Sequence, residues 1–229
     1  MRKFLILASM FALAAPALAA TNLIVNGDFE AGNTGFTTDA GYSFVGIPGP
    51  GAMVPEGTYT VATNAGDFHG SWASVTANTN RNFLIANGAG KSDAAVWKQT
   101  VTGLMVGQTY RFSGFAVNVC CNSSFGGPNA SPIIIAARSG GLTSLATTGA
   151  ISNTGVWQAF SGSFVASSTF ADLSIFTDIN SASGNDFGID TLSLSAVPES
   201  ATWAMMITGF GFIGAIARRR RSATAAITA

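Results

Sequence analysis

VWKQTVTGLMVGQTYRFSGFA, residues 96–116, holds two runs of β-branched and aromatic residues on either side of a Gly-containing turn. Such side chains suit a pleated, half-buried surface, and Gly with polar neighbours punctuates strands. The segment predicts strands over Ala95–Val101 and Thr109–Val119. In the second, Tyr110 and Phe112 share one face, while Phe115, Val117 and Val119 take the other parity, with Gly114 between them. A Gly where the period slips predicts a bulge; burial of both faces is the alternative.

The same pattern extends outward. Further strands are expected at Asn22–Phe29, Tyr42–Ile47, Thr58–Thr63, Asn82–Ala86, Ile133–Arg138, Trp157–Val165, Ala171–Phe176 and Asp186–Ser195. A second slip falls at Asp190-Thr191, because Phe187 and Ile189 share one parity and Leu192 and Leu194 the other. Between Ala20 and Ala196 no long run carries a helical period. Many short strands with turns between them predict an all-β, two-sheet sandwich.

Of 229 residues, 48% are hydrophobic and 10% charged, which excludes general disorder. The formal net charge is zero, but six of eleven basic residues stand at the ends, as Arg2, Lys3 and Arg218–Arg221. Between Ala20 and Ala196 five basic residues face ten acidic ones, a net of −5 that argues against nucleic acid as a partner.

Residues 1–19 have the pattern of a secretory signal peptide. Arg2 and Lys3 are followed by an uncharged run, Phe4–Ala15, and by Ala17-Leu18-Ala19 as the cleavage motif. The sandwich is expected over 20–196, in an oxidising, extracytoplasmic space. Val197-Pro198-Glu199-Ser200 marks a boundary. Residues 201–217 carry no charge and are expected to form a transmembrane helix, with Trp203 at the interface and Arg218, Arg219, Arg220 and Arg221 on the cytoplasmic side. Residues 222–229 form a short tail. Gly209, Gly211 and Gly214 match G-x-G-x-x-G, but a dinucleotide site needs a preceding strand and a following βαβ unit, which the chain has no room for here.

VPESATWAMMITGFGFIGAIARRRR, residues 197–221, closely resembles the PEP-CTERM sorting signal of Gram-negative bacteria, in the subtype with Trp-Ala after the motif. The resemblance implies exosortase, a membrane-embedded Cys-dependent processing enzyme, as a partner. It implies an inner-membrane-held precursor and delivery to the cell surface or an exopolysaccharide matrix. Val197, Pro198, Glu199, Trp203 and Arg218–Arg221 would carry the signal. Ser200 stands where the family usually has a second Pro. NLIVNGDFE (22–30), the hairpin at 96–116 and NDFGIDTLSL (185–194) resemble the opening strand, central hairpin and last strand of galactose-binding-like jelly rolls, including carbohydrate-binding modules. That resemblance implies a jelly-roll sandwich, a fold that hosts many functions, and Glu30 and Asp190 brought together by the first and last strands. Equivalent positions in those modules help hold a structural calcium; a hydrogen-bonded carboxylate pair is the alternative.

His69 is the sole histidine, and neither a G-x-S-x-G elbow nor an H-E-x-x-H helix is present. No catalytic constellation is expected. Sugar rings stack on exposed aromatics, and Trp72, Tyr59 and Phe68 are the candidates in a loop-rich region; Trp97 and Trp157 sit in strand patterns and are expected in the core. Cys120 and Cys121 are adjacent and leave three options: a vicinal disulfide, free thiols or links between chains. Polysaccharide binding without catalysis is the expected function. A purely structural or adhesive envelope protein is the alternative, and a glycan-active hydrolase is the third.

Overall fold

A computed structural model describes residues 21–91, 94–121, 133–138, 143–177, 185–198, 206–214 and 218. The signal peptide and most of the sorting tail, including Glu199, Trp203 and Arg219–Arg221, lie outside the described residues. The strands are β1 (Ser43–Phe44), β2 (Thr58–Ala62), β3 (Phe83–Asn87), β4 (Trp97–Thr102), β5 (Thr109–Asn118), β6 (Ile133–Arg138), β7 (Thr143–Ala150), β8 (Gln158–Val165), β9 (Phe170–Thr177) and β10 (Asp186–Ala196). They form a six-stranded sheet, β1-β2-β3-β10-β5-β8, and a four-stranded sheet, β4-β9-β6-β7. Only β1 and β2 are a parallel pair; the other named pairings are antiparallel.

The two sheets share one apolar core, so the molecule is a jelly-roll β-sandwich. Trp97, Leu173 and Ile175 of the smaller sheet meet Phe112, Phe160, Phe187 and Leu194 of the larger. Trp97 is fully buried and stacks on Phe112 with ring centroids 6.0 Å apart. A second, smaller core lies on the other face of the larger sheet. There Met53, Phe68, Trp72 and Val75, from the segment between β1 and β3, cover Phe83, Ile85, Val117 and Val119. Trp157 is half-buried at its margin, packed edge-to-face on Phe83 with ring centroids 5.5 Å apart.

This double covering explains the pattern in β5. The strand runs without a bulge through Gly114, paired to β8 in continuous register. Tyr110 and Phe112 face the main core, and Val117 and Val119 the second core. The expected bulge at Gly114 is therefore corrected: both faces are buried toward one end of the strand. Gly114 has a packing role, since a Cβ there would lie 2.6 Å from Leu192 Cδ2 and 2.7 Å from Phe160 Cζ. The second expected slip is observed. The β10–β5 register shifts between Asp190 and Ser193, and Thr191 has φ 53°.

Two further differences concern element assignment. Residues 22–29 form turns rather than a strand. Asn26 and Phe29 have φ of 52° and 57°, and the Asn26 side chain donates to the carbonyls of Gly32 and Thr34, which curls the chain. Strand β7, TSLATTGA, has no apolar alternation strong enough to mark it; pairing with β6 makes it a strand. Replacing Gly114 with Ala should destabilise the domain by about 1–3 kcal/mol through overpacking, read from the urea midpoint at unchanged m-value.

Candidate functional site

Glu30 and Asp190 stand on the two elements that meet here, the NGDFE turn and the β10 bulge. The Leu192 N–H donates to the Gly27 carbonyl at 2.8 Å, and a Cβ on Gly27 would stand 2.2 Å from the Leu192 oxygen. Glu30 Oε1 accepts the backbone N–H groups of Arg81 and Asn82 at 2.8 and 2.7 Å. Asp190, fully buried, accepts the Asn78 N–H at 3.0 Å and its own neighbour Thr191 N–H at 2.6 Å. Both carboxylates thus hold one segment, 78–82, against the first turn and the last strand. Burial raises the Asp190 carboxyl above its ordinary value, and the backbone donors work against that rise. Thr191 Oγ1 lies 3.0 Å from Thr79 Oγ1, a further tie that holds a β-branched residue at positive φ.

Tyr59, Phe68 and Trp72, expected as exposed sugar platforms, are buried instead, with 8%, 5% and 3% of their surface exposed. Trp72 fills the second core because residues 65–77 fold back over the larger sheet, pairing Asn64 with Thr76 and Trp72 with Cys120. Its indole N–H is directed at the Asp186 carboxylate, and His69 stacks on its ring at 5.0 Å. The His69 Nδ1 accepts the Ser71 N–H at 3.3 Å and lies 2.8 Å from Ser71 Oγ, a contact two residues apart within one turn. Burial lowers the His69 pKa. Among the described residues no hydrogen bond joins a carboxylate to this ring. Cys120 and Cys121 form a vicinal disulfide that packs in the same core.

Asp186, beside Trp72, was not singled out by the sequence. It is 8% exposed, and burial together with the like charge of Glu56 pushes its pKa up to about 7.

An open concavity among the described residues lies elsewhere. Residues 35–37 run beside β4, Thr37 and Lys98 exchanging backbone hydrogen bonds at 2.8 and 2.9 Å. Gln99 secures this arrangement: its side chain bonds the Val25 N–H and C=O, both at 3.0 Å, and the Gly35 carbonyl. The result is a cleft of about 730 Å³ lined by Gly35, Phe36, Thr37, Lys98, Gln99, Thr100, Asp172 and Leu173. Phe36 is half-buried, held edge-on by Phe29 and Tyr59 at 5.7 and 6.2 Å. Thr100 Oγ1 donates to Asp172 Oδ1 at 2.6 Å, and Lys98 pairs with Asp39 at 2.8 Å. Burial pushes the Asp39 carboxyl up, but Lys98 and the Ala95 N–H outweigh it and hold the group below its ordinary value. The cleft presents one aromatic surface beside hydroxyl, carboxylate and ammonium groups.

At the C-terminal end the sheet holds Val197: its N–H donates to the Thr109 carbonyl at 2.8 Å and its carbonyl accepts from Gln108 at 2.7 Å. The expected extended linker therefore begins one residue later, at the exposed Pro198. Residues 206–214 are helical and exposed. Among the described residues no helix is long and apolar enough to cross a membrane, and no group of three or more His, Cys, Asp or Glu side chains is placed to hold a metal.

No protein-family model and no curated protein matches the sequence. Solved structures match the architecture. A Stig cyclase from Fischerella sp. TAU aligns over 79% of this chain and 99% of its own, at 16% identity and TM-score 0.51. The CBM22-1 xylan-binding domain of Paenibacillus barcinonensis Xyn10C aligns over 79% and 97%, at 15% identity and TM-score 0.47. A family 16 carbohydrate-binding module aligns over 76% and 99%, at 20% identity and TM-score 0.43. At these identities the likeness is one of fold, and the fold hosts binding domains and an enzyme alike.

Two outcomes follow from the buried groups. Trp72→Ala should cost about 3–5 kcal/mol of stability, as expected for an aromatic deleted from a core; native stability in the variant would contradict its packing role. In chelator, stability should fall as pH rises. A buried acid whose folded pKa of about 7 exceeds its unfolded value of about 4 favours the fold while protonated, and that contribution is lost as pH climbs from about 4 through 7. Asp186→Asn should flatten this slope in denaturation curves taken across that range.

Proposed function

We propose that this chain is an exported, surface-sorted β-sandwich that binds polysaccharide without acting on it chemically. The observation that carries the proposal is the open cleft at Phe36, Lys98, Thr100 and Asp172. A sugar presents an apolar ring face and a rim of hydroxyls. Phe36 offers the first a partner, and the Asp172 carboxylate, Thr100 hydroxyl and Lys98 ammonium offer the second both donors and acceptors. One aromatic surface of modest area implies weak binding, with dissociation constants on the order of micromolar to millimolar. Glycan-array screening followed by affinity electrophoresis should show retardation by at least one polysaccharide. Asp172→Asn, at a partly exposed position, should weaken it without changing the melting temperature. Absence of retardation by any polysaccharide tested would favour the structural or adhesive alternative.

The sorting part of the proposal rests on the resemblance of residues 197–221. Val197 anchored to the sheet and Pro198 exposed beyond it would put the start of the Pro-Glu motif at the edge of the domain, open to a processing enzyme. The mature protein should end near Pro198. Intact-mass measurement on the surface protein from native cells should show loss of residues 201–221, and Pro198→Ala with Glu199→Ala should leave an uncut precursor. A mature product retaining Trp203–Arg221 would make the tail a lasting anchor.

A calcium ion held by Glu30 and Asp190 belongs to the same proposal. The donor set suits it in kind: hard carboxylate oxygens, with backbone carbonyls of the surrounding turns and water needed to complete six to eight ligands. Their backbone hydrogen bonds tie the three segments with or without an ion. Calcium at 100 times its dissociation constant should add about 2.7 kcal/mol of stability, lost in chelator and absent in Asp190→Ala. A melting temperature indifferent to chelator would leave the carboxylates as hydrogen-bond acceptors alone.

A further inference from the structure

β3 and β10 end side by side, with Asn87 and Asp186 as direct cross-strand partners. Their side chains therefore leave the same face of the sheet with Cβ atoms about 4.5–5.5 Å apart. Both are buried, 3% and 8% exposed. The Asn87 amide nitrogen donates to the carbonyls of Met53 and Val54 at 2.8 and 3.3 Å. Its Oδ1, on the other side of the amide, is buried without a hydrogen-bond partner. Asp186 lies beside the Trp72 indole and within electrostatic reach of the Glu56 carboxylate, a charge of its own sign. Glu56 is exposed at the mouth of the cluster and is oriented by the Asn185 amide, which donates to its Oε2 at 3.0 Å. Among the described residues no salt bridge reaches either carboxylate; the ion pair recorded there is Lys98–Asp39.

Two neighbouring like charges and an orphaned buried oxygen are costly unless something positive joins them. The donors are all hard oxygens, with no imidazole or thiolate, which selects against zinc and copper and for a group-two cation. We propose that Asp186, Glu56 and Asn87 Oδ1 bind a calcium ion, with water completing its coordination on the exposed Glu56 side. The site is separate from Glu30 and Asp190, which hold the 78–82 segment. Two carboxylates match the double charge, and the ion gives Asn87 Oδ1 the partner it lacks. Because the Asn87 nitrogen already grips residues 53 and 54, occupancy would pin that loop to the ends of β3 and β10.

The location supplies its own probe. A terbium ion in this site would sit beside the Trp72 indole, a neighbour of Asp186, and would emit on tryptophan excitation. The full chain, purified in detergent and stripped by chelator, should show terbium emission displaced by calcium with a dissociation constant on the order of 0.1–1 mM. Asp186→Asn should abolish the emission. Glu56→Gln, an exposed substitution, should weaken it with the near-ultraviolet circular dichroism unchanged. Glu30→Gln should leave it intact, which separates this site from the other pair. Emission that persists in both Asp186→Asn and Glu56→Gln would overturn the proposal. So would a folded wild type with no calcium-displaceable emission, whose stability responds to pH identically in calcium and in chelator; a proton between Asp186 and Asn87 would then satisfy the cluster.

Discussion

The contact between Gly27 and Leu192 is the constraint on which the sandwich depends. Backbone meets backbone there so closely that no side chain fits at position 27. The approach requires β10 to interrupt its ladder, and it does so between Asp190 and Ser193, with Thr191 turned to positive φ. The interruption lets Phe187 and Ile189, before it, and Leu192 and Leu194, after it, all face the same core. Without the extra residue, half of the strand would present its polar side to the interior. The non-glycine residues at positive φ among those described, Asn26, Phe29 and Thr191, all belong to this junction. Strain is concentrated where Glu30, Asp190 and their backbone donors over-determine the conformation.

The second core follows from a different pressure. A sheet of six strands has two faces, and only one of them meets the smaller sheet. The segment between β1 and β3 covers part of the other face with Met53, Phe68, Trp72 and Val75. That covering takes Trp72 out of solvent and brings Asp186 and Asn87 with it, so polar groups become buried as a by-product of apolar packing. The raised Asp186 pKa and the orphaned Asn87 oxygen are the electrostatic cost of closing this layer. An open cleft remains at the margin of the smaller sheet, where Gln99 uses its whole amide to fasten residues 25 and 35.

Much of this was legible beforehand, for identifiable reasons. Alternation of apolar residues marked nine of the ten strands' locations within a few residues, because a half-buried strand must alternate. The Asp190-Thr191 slip was visible because parity is binary. At Gly114 a change of buried face and a bulge produce the same parity change, so both readings stay open in the sequence; the covering segment that distinguishes them is remote along the chain. Strand β7 is not legible in the sequence because its Thr, Ser, Ala and Gly residues carry little alternation. Trp72, Phe68 and Tyr59 looked like platforms because their neighbours are loop-forming, and loop composition does not say which way a loop folds.

By itself the sequence determined the all-β class and the positions of nine of the ten strands. These rest on local periodicity and on two recognisable chain segments. It also determined the charge-free run and arginine cluster of the tail, which are matters of composition alone. Only the tertiary structure decided which aromatics are buried, where the open cleft lies, and that Asp186, Glu56 and Asn87 meet. Those outcomes depend on contacts between residues from about 30 to 130 positions apart. Such contacts follow from which surface wins the competition for burial, a property of the assembled layers and not of any one segment.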